Sequence, residues 1–500
     1  MWPFLRAVPI DQLLLRPPAL PKKHLTNRAI PAQLERAIKV ATARSAGLDV
    51  DVDHDAHKFL SCVFWVILGK HRSALAPSRA RAPWAEVVKE RVDRLYRGEF
   101  EALFGEAVVA AEEGGARGGR VDKERRAVEL AHQGKVSKAL GALTSGGMLP
   151  LEEESVRDAF TALLQPDNAP PPVSWRTFVE QTEGAPPPES DVYKFELGEC
   201  EVTGPDGQAK TVDTLEHALF KCDPTAAAGI SGLGFDLLRH MSPDTLRPLL
   251  RVYFGLGRWD YTRRLGVDGP AYHEDMHSYL VSVRGVALDK DGSGFERGRA
   301  VKNLRPIGVG DCLRRLAAQC QLLQLGGPIG VALARNGQYG AGFKNGTDTV
   351  YHLIAKSLDA FVAAAVAGGV AQSDARNAFC SMKRDAMQRG VFRLSPVLLR
   401  AFDFLYGPSA TGSCYYYGAG GVRHLGSCLL FDGVQQGDVF GPLFFSLGLD
   451  ELLTAVREYM RNLSVDSTMV NQEVHVVGVT AGRLATRRRW TSQRTSPSPW

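Results

Sequence analysis

Near residue 280 the chain changes texture, and that change restricts the fold more than any other feature of the sequence. Upstream, apolar residues recur at helical spacing; Val87, Val92, Leu95, Leu103 and Val108 mark such a face within Ala82–Glu113. Downstream, apolar runs of strand length alternate with helical ones. Strands are predicted over Tyr279–Leu288, Gly369–Gln372, Cys414–Tyr417 and Leu425–Phe431, and helices over Asp311–Leu325, Thr347–Ala365, Ser395–Tyr406 and Pro442–Asn462. The last helix opens on Pro442 and sets Phe445, Leu449, Leu452 and Val456 on one face. An α+β chain follows, with no repeat.

Four stretches are expected in order. Residues 1–164 form a helical region, of which the proline-rich first thirty or so read as poorly ordered and Asp122 caps a helix through Leu130. Residues 165–191 hold seven prolines and read as a linker. Residues 192–477 carry the mixed helices and strands. There Asp213 and Glu216 box the start of a short helix, and a Gly-Ile-Ser-Gly-Leu turn at 229–233 precedes another over Phe235–Met241. Residues 478–500 are a basic Arg/Thr/Ser/Pro tail that reads as disordered.

With 44% hydrophobic and 23% charged residues, the 500-residue chain has enough apolar content to rule out disorder as its main state and enough length for two or three packed units. Its net charge of +5 is compatible with a nucleic-acid partner without requiring one. The eight cysteines contain no CxxC spacing and no zinc-finger pattern, which predicts free thiols in a reducing compartment. Met1–Lys23 is too rich in proline for a signal peptide, and the apolar runs Cys62–Gly69 and Phe361–Val370 are far short of a membrane span. A soluble, intracellular protein without a membrane partner is expected.

Chemistry concentrates in four segments. In the first, Lys290 and the Arg305 of Leu304–Gly310 put cations beside glycine on a strand hairpin, which suits a triphosphate; taken alone, both are surface charges. The second, Gln338-Tyr339-Gly340-Ala341-Gly342, lacks the strand and the spacing of a dinucleotide fingerprint. The third is Ser373–Phe379, where an Asp at the end of a buried strand offers hard oxygen to a divalent cation or, more blandly, caps the next helix. The fourth, Gly433–Leu443, holds a Gln-Gly turn that lets backbone approach a ligand, or is a plain strand-to-helix loop with Asp438 near the helix start.

In this order, the blocks RPIGVGDCLRRLAA, QYGAGFKNG, SDARNAF and GVQQGDVFGPLFF resemble the reverse transcriptase of non-LTR (LINE-like) retrotransposons, in particular the site-specific, spliced-leader-associated group of trypanosomatids. The stretch KVSKALGALTSGGMLPL at 135–151 resembles the region preceding the fingers in that group, and the likeness spans about residues 120–477. It implies a right-hand polymerase with fingers and palm, an RNA template, a DNA primer, dNTP substrates, Mg²⁺ or Mn²⁺, and a nuclear location. By the resemblance, Asp374 is the first catalytic metal ligand with the carbonyl of Ala375 beside it, and Phe379 is the gate against a ribose 2′-OH. Gln436 and Gly437 line the nascent base pair, and Lys290 and Arg305 neutralise the triphosphate.

The likeness fails at one point. The family places an aromatic-x-Asp-Asp turn after the strand Val474–Val477, and by register Ala481 and Gly482 stand where the two acids belong. No Asp or Glu occurs after Glu473, whereas Arg483, Arg487, Arg488 and Arg489 do. The expectation is a partial palm with the thumb missing, altered by a frameshift near residue 478 and catalytically silent. The alternative is a non-enzymatic remnant that at most binds nucleic acid.

Overall fold

Alternation decides the central sheet. Strands β1 (Glu199–Thr203) and β2 (Ala209–Asp213) pair antiparallel as a separate two-stranded sheet. In the larger sheet, strand β3 (Val283–Asp289) buries Val283, Gly285, Ala287 and Asp289 while Arg284, Val286 and Leu288 stay half-buried, the period of two that a strand with one covered face requires. It pairs antiparallel with β4 (Leu304–Val309) and, through Val283 and Arg284, parallel with β5 (Ser413–Tyr417), which pairs antiparallel with β6 (His424–Leu429). The order is β4-β3-β5-β6. The parallel step needs a long crossover, and the chain between β4 and β5 supplies it in helices. The structure, a computed structural model, describes residues 1–14, 29–43, 50–69, 83–113, 128, 131–132, 148–164, 175–181, 197–203, 208–224, 226–256, 270–289, 295–296, 301, 304–341, 346–363, 377–408, 410, 412–417, 424–430 and 432–465.

One face of this sheet lies under the helix Glu154–Leu164. Val156, Phe160 and Leu164 recur at helical spacing and pack with Val283, Ala287, Cys414, Tyr416 and Cys428. The Phe160 ring stands edge-on to Tyr416 at 5.6 Å, and the Thr161 and Tyr416 hydroxyls share a 2.6 Å hydrogen bond. The end of the 135–151 block joins the sheet as well: Leu149 N–H donates to the Ala287 carbonyl at 2.8 Å.

The N-terminal thirty residues contradict the expectation of poor order where they are described. Helices α1 (Trp2–Ala7) and α2 (Ile10–Leu13) bury Leu5, Leu13 and Leu14 completely, because their apolar side chains find aromatic partners: Trp2 meets Phe59, and Phe4 meets Phe100 and Phe104. The periodic stretch 82–113 forms two helices rather than one, Trp84–Tyr96 and Phe100–Glu113. Gly98 breaks it at φ +86°, a conformation that a residue with a side chain rarely adopts. Helix α3 (Val50–Leu68) runs through the middle of the helical layer, against Pro243–Leu256 and Pro270–Val281. Among the described residues, the N-terminal helices therefore share one apolar core with the helices around the sheet. Within the proline-rich stretch 165–191, Trp175–Gln181 is a helix whose Phe178 ring stands 5.3 Å from Phe392.

Helix α4 (Cys312–Arg335) ends ten residues later than the sequence suggested, continuing through Gly326 and Pro328. Asp311 caps it by accepting the Leu313 N–H at 3.0 Å and the Ser231 hydroxyl, which seats the 229–233 turn. It is the one helix among the described residues long and apolar enough to cross a membrane; it packs against Thr214–Lys221, Pro243–Leu256 and the final helix. The box at Asp213 forms as expected, its carboxylate accepting the Glu216 N–H at 2.9 Å.

The final helix, α5 (Gly441–Val465), departs from its predicted face. Phe445 is buried, but Leu452 and Val456 are exposed, and Leu443, Phe444, Leu447, Asp450 and Leu453 are turned inward. Helix α6 (Arg384–Leu394) sets this rotation through close backbone contact. A Cβ on Gly390 would sit 2.0 Å from the Leu447 carbonyl oxygen, and one on Gly448 would crowd Met387. The predicted strand Gly369–Gln372, the Asp122-capped helix, Val474–Val477 and the tail lie outside the described residues.

A buried imidazole gives the helical layer a pH signature. Burial drives the pKa of His57 on α3 down to about 3. The unfolded chain takes up a proton near pH 6.5 that the folded chain refuses, so this contribution to stability is complete above that pH and is lost as pH falls toward 3. Urea denaturation should show the wild type losing about 2 kcal/mol between pH 7.5 and 5 from this one group. The same difference measured for His57→Gln should be smaller by that amount; an unchanged difference would contradict the assignment.

Candidate functional site

The loop between β6 and α5 (residues 432–440) is fastened to two other segments by its backbone. Val434 N–H donates to the Phe379 carbonyl at 2.9 Å, and Gly433 N–H to the Met382 carbonyl at 3.0 Å. On its other side, the Gln436 carbonyl accepts the Gly308 N–H of β4 at 3.0 Å. Glycine is demanded twice in this loop. Gly433, at φ +65°, presses within 2.5 Å of the Cys380 backbone, measured from where a Cβ would be. Gly437, at φ +118°, would put a Cβ 2.9 Å from the Gly308 carbonyl oxygen. The segments containing Arg305, Phe379 and Gln436 thus meet around one loop.

A buried ion pair holds that loop from beneath. Arg314, on the first turn of α4, is paired with Asp438, and the two side chains are 2% and 3% exposed, too little for water to solvate either charge. Arg314 also donates to the Val281 carbonyl at 2.9 Å and to Gln435 Oε1 at 3.0 Å. The Tyr406 hydroxyl donates to Gln435 Oε1 at 2.8 Å and to Asp438, and Asp438 accepts the Phe440 N–H at 3.1 Å. Burial opposes the Arg314 charge, but the Asp438 carboxylate more than compensates and leaves its pKa above the ordinary guanidinium value. Burial, then Asp438, pushes the Tyr406 hydroxyl well above its usual pKa, so it remains a donor. Each member satisfies another, the condition under which buried charge is tolerated.

Two further polar anchors flank the loop. Arg384 is buried and donates to the carbonyls of Leu430 at 3.1 Å and Gly433 at 3.3 Å, while burial lowers its pKa to about 10. Its neighbour Lys383 pairs with the buried Asp432 at 2.8 Å. On α5, Asp450 accepts from Asn336 at 2.9 Å and Gln338 at 3.0 Å and pairs with Arg393. The QYGAG block therefore begins with a buried residue that positions a helix.

The face of the sheet away from Glu154–Leu164 is the open one. The β3–β4 register puts Arg305 across from Leu288 and Ile307 across from Val286 on that face, with Arg305 exposed. Gly437 lies next to Ile307, and Leu425, Ser427 and Leu429 of β6 are exposed in alternation. Phe379 is half-buried, its ring stacked on Phe445 with centroids 4.9 Å apart. Gln436 is half-buried, and its side-chain oxygen, shielded from solvent, has no hydrogen-bond partner among the described residues. Asn377 of the SDARNAF block sits at φ +52° and donates to the Leu163 carbonyl at 2.7 Å, tying that block to the helix over the sheet.

Of the predicted site residues, Arg305, Phe379, Gln436 and Gly437 come to this region. Lys290, Asp374, Ala375, Ala481 and Gly482 lie outside the described residues, within which no group of three or more His, Cys, Asp or Glu side chains is placed to hold a metal. The sequence reading missed Arg314, Tyr406 and Gln435. Asp438 does bond next to the helix start, as the plainer reading had it, but its larger role is to neutralise Arg314. An Arg three residues past a helix cap, followed by an apolar stripe, was the available hint. No protein-family model matches the chain, and no curated protein matches it significantly.

Breaking the pair should be far worse than removing it. Arg314→Met strands the Asp438 carboxylate and should cost about 3–5 kcal/mol in urea denaturation. The double variant Arg314→Met/Asp438→Leu leaves Tyr406 and Gln435 bonded to each other and should recover most of that loss. A double variant as unstable as the sum of the two singles would contradict the account of the loop.

Proposed function

We propose that residues 192–477 are the fingers and partial palm of a reverse transcriptase of the non-LTR retrotransposon lineage, and that this chain binds a nucleic-acid template and primer without extending it. The observation that carries the reading is the convergence of the RPIGVG strand, the end of SDARNAF and the QQG turn around one loop beside an open sheet face. The glycines at that junction let three distant blocks approach closely and leave the backbone beside them free of side chain. In the proposed site, Arg305 offers a charged fork to phosphate and Gly437 keeps the surface beside it free of side chain. Phe379, steadied by Phe445, offers an aromatic edge to the sugar of a bound nucleotide.

The residues do not fit a two-metal centre. Such a centre, with Mg²⁺ or Mn²⁺, needs carboxylates from two places, and Ala481 and Gly482 contribute none; Asp374 would be alone. No catalytic step is therefore assigned to the metal, and nucleic-acid binding is the activity proposed.

A labelled RNA template annealed to a DNA primer tests both halves. Binding should weaken steeply with salt, and Arg305→Ala should reduce the slope of log K against log salt by about 1, the signature of one lost phosphate contact. With dNTPs and Mg²⁺ the primer should stay unextended. Extension that vanishes in Asp374→Ala would overturn the silent reading, and binding insensitive to salt would overturn the nucleic-acid reading.

A further inference from the structure

The β5–β6 hairpin carries a pair of thiols that the proposed nucleic-acid site does not use. Cys414 and Cys428 are directly opposed in the antiparallel register. Two residues away in the same register, the Leu430 N–H donates to the Gly412 carbonyl at 2.9 Å, which makes both pairs the hydrogen-bonded kind. Such a pair brings its Cα atoms to roughly 5.5 Å, within the span a disulfide bridges, with both side chains on the same face. That face is the covered one: the thiols lie among Phe160, Tyr416 and Cys380, and the site of a Cβ on Gly285 would be 2.9 Å from Cys414 Sγ. All eight cysteines of the chain are free thiols.

We propose that Cys414 and Cys428 are an oxidation site, a dithiol that closes to a reversible cross-strand disulfide immediately before the QQG loop. The two sulfurs differ in the way the chemistry needs. Hydrogen bonding from the Cys414 thiol, assisted by the Tyr416 and Thr161 hydroxyls, draws the Cys428 thiol below its usual pKa, whereas burial pushes Cys414 up. Cys428 is therefore the readier of the two to ionise, and a thiolate is the form that attacks oxidants. It lies on the last strand of the sheet order, buried on the covered face while its neighbours Ser427 and Leu429 face the other way, so a small peroxide reaches it through local opening of that edge strand. Attack on hydrogen peroxide gives the Cys428 sulfenic acid and releases one water once the proton is returned. Cys414 then loses its proton and attacks that sulfur, forming the S–S bond and releasing a second water. Both sulfurs are oxidised, the peroxide is reduced, and a dithiol reductant reverses the step.

The experiment treats the reduced full-length chain with limiting hydrogen peroxide, quenches it in denaturant with a maleimide, and maps the peptides by mass spectrometry. The expected product is a Cys414–Cys428 linked peptide that dithiothreitol abolishes, with the other six cysteines alkylated. Cys428→Ser should leave Cys414 alkylated after peroxide, and Cys62→Ser should leave the linked peptide unchanged. If serine in this apolar cluster unfolds the chain, Cys428→Val, checked by circular dichroism, takes its place with the same expected result. Chain unfolded in urea before peroxide should lose the preference for this pair. Alkylation of both Cys414 and Cys428 while Cys222 is oxidised, or a Cys414–Cys380 link, would overturn the proposal.

Discussion

Arg314 and Asp438 lie 124 positions apart in the chain and share one buried contact, and the arrangement of the site depends on it. A guanidinium with almost no water around it has to find a carboxylate, and the only way to deliver Asp438 is to fold the 432–440 loop back over the start of α4. That folding turns Gln435 inward to Arg314 and Tyr406, and leaves Gln436 and Gly437 to run along β4. The position of the outward residues is thus a consequence of the charge balance of the inward ones. Continuum reasoning says a buried pair adds little net stability over an apolar replacement. Its contribution here is to specify one loop path among many, since any other path strands a charge.

The same logic explains why so many glycines and aromatics collect around the loop. Gly433 and Gly437 stand where backbone meets backbone and Gly308 where it meets the Gln435 side chain, and a Cβ at any of them would clash. Phe379, Phe445, Phe444, Phe402 and Tyr406 fill the volume between loop and helices with rings in stacked or edge-on contact. Rigid rings under a loop pinned by backbone contacts make a surface that is preorganised, which lowers the entropic cost of holding a ligand there.

Much of this was legible in the sequence, and the failures have physical causes. The strands at 283–289, 413–417 and 424–429 were signalled by their short apolar runs, and the Asp213 cap by its spacing. The N-terminal helices were misread because proline content was weighed above the burial of Leu5, Leu13 and Leu14, which only tertiary contact supplies. The face of α5 was misread because periodicity treats Asp450 as a polar outsider, whereas Asn336, Gln338 and Arg393 make it an interior residue. Arg314, Tyr406 and Gln435 were invisible for a related reason: a buried polar network is a property of three distant segments at once, and no single window of sequence contains it. Arg305, Phe379, Gln436 and Gly437 come from separate blocks of sequence, and the segments that carry them meet around one loop.

The central claim is that the loop at 433–438, β4 and Phe379 present one surface to nucleic acid. Photo-cross-linking tests it most directly, with an RNA–DNA template–primer that carries a photoreactive base at the primer 3′ end and peptides mapped by mass spectrometry. The account predicts cross-links within 304–310 and 433–438, lost when excess unlabelled template–primer competes. Cross-links confined to the N-terminal helices, or to the exposed stripe of Leu452, Val456 and Tyr459 on α5, would contradict it.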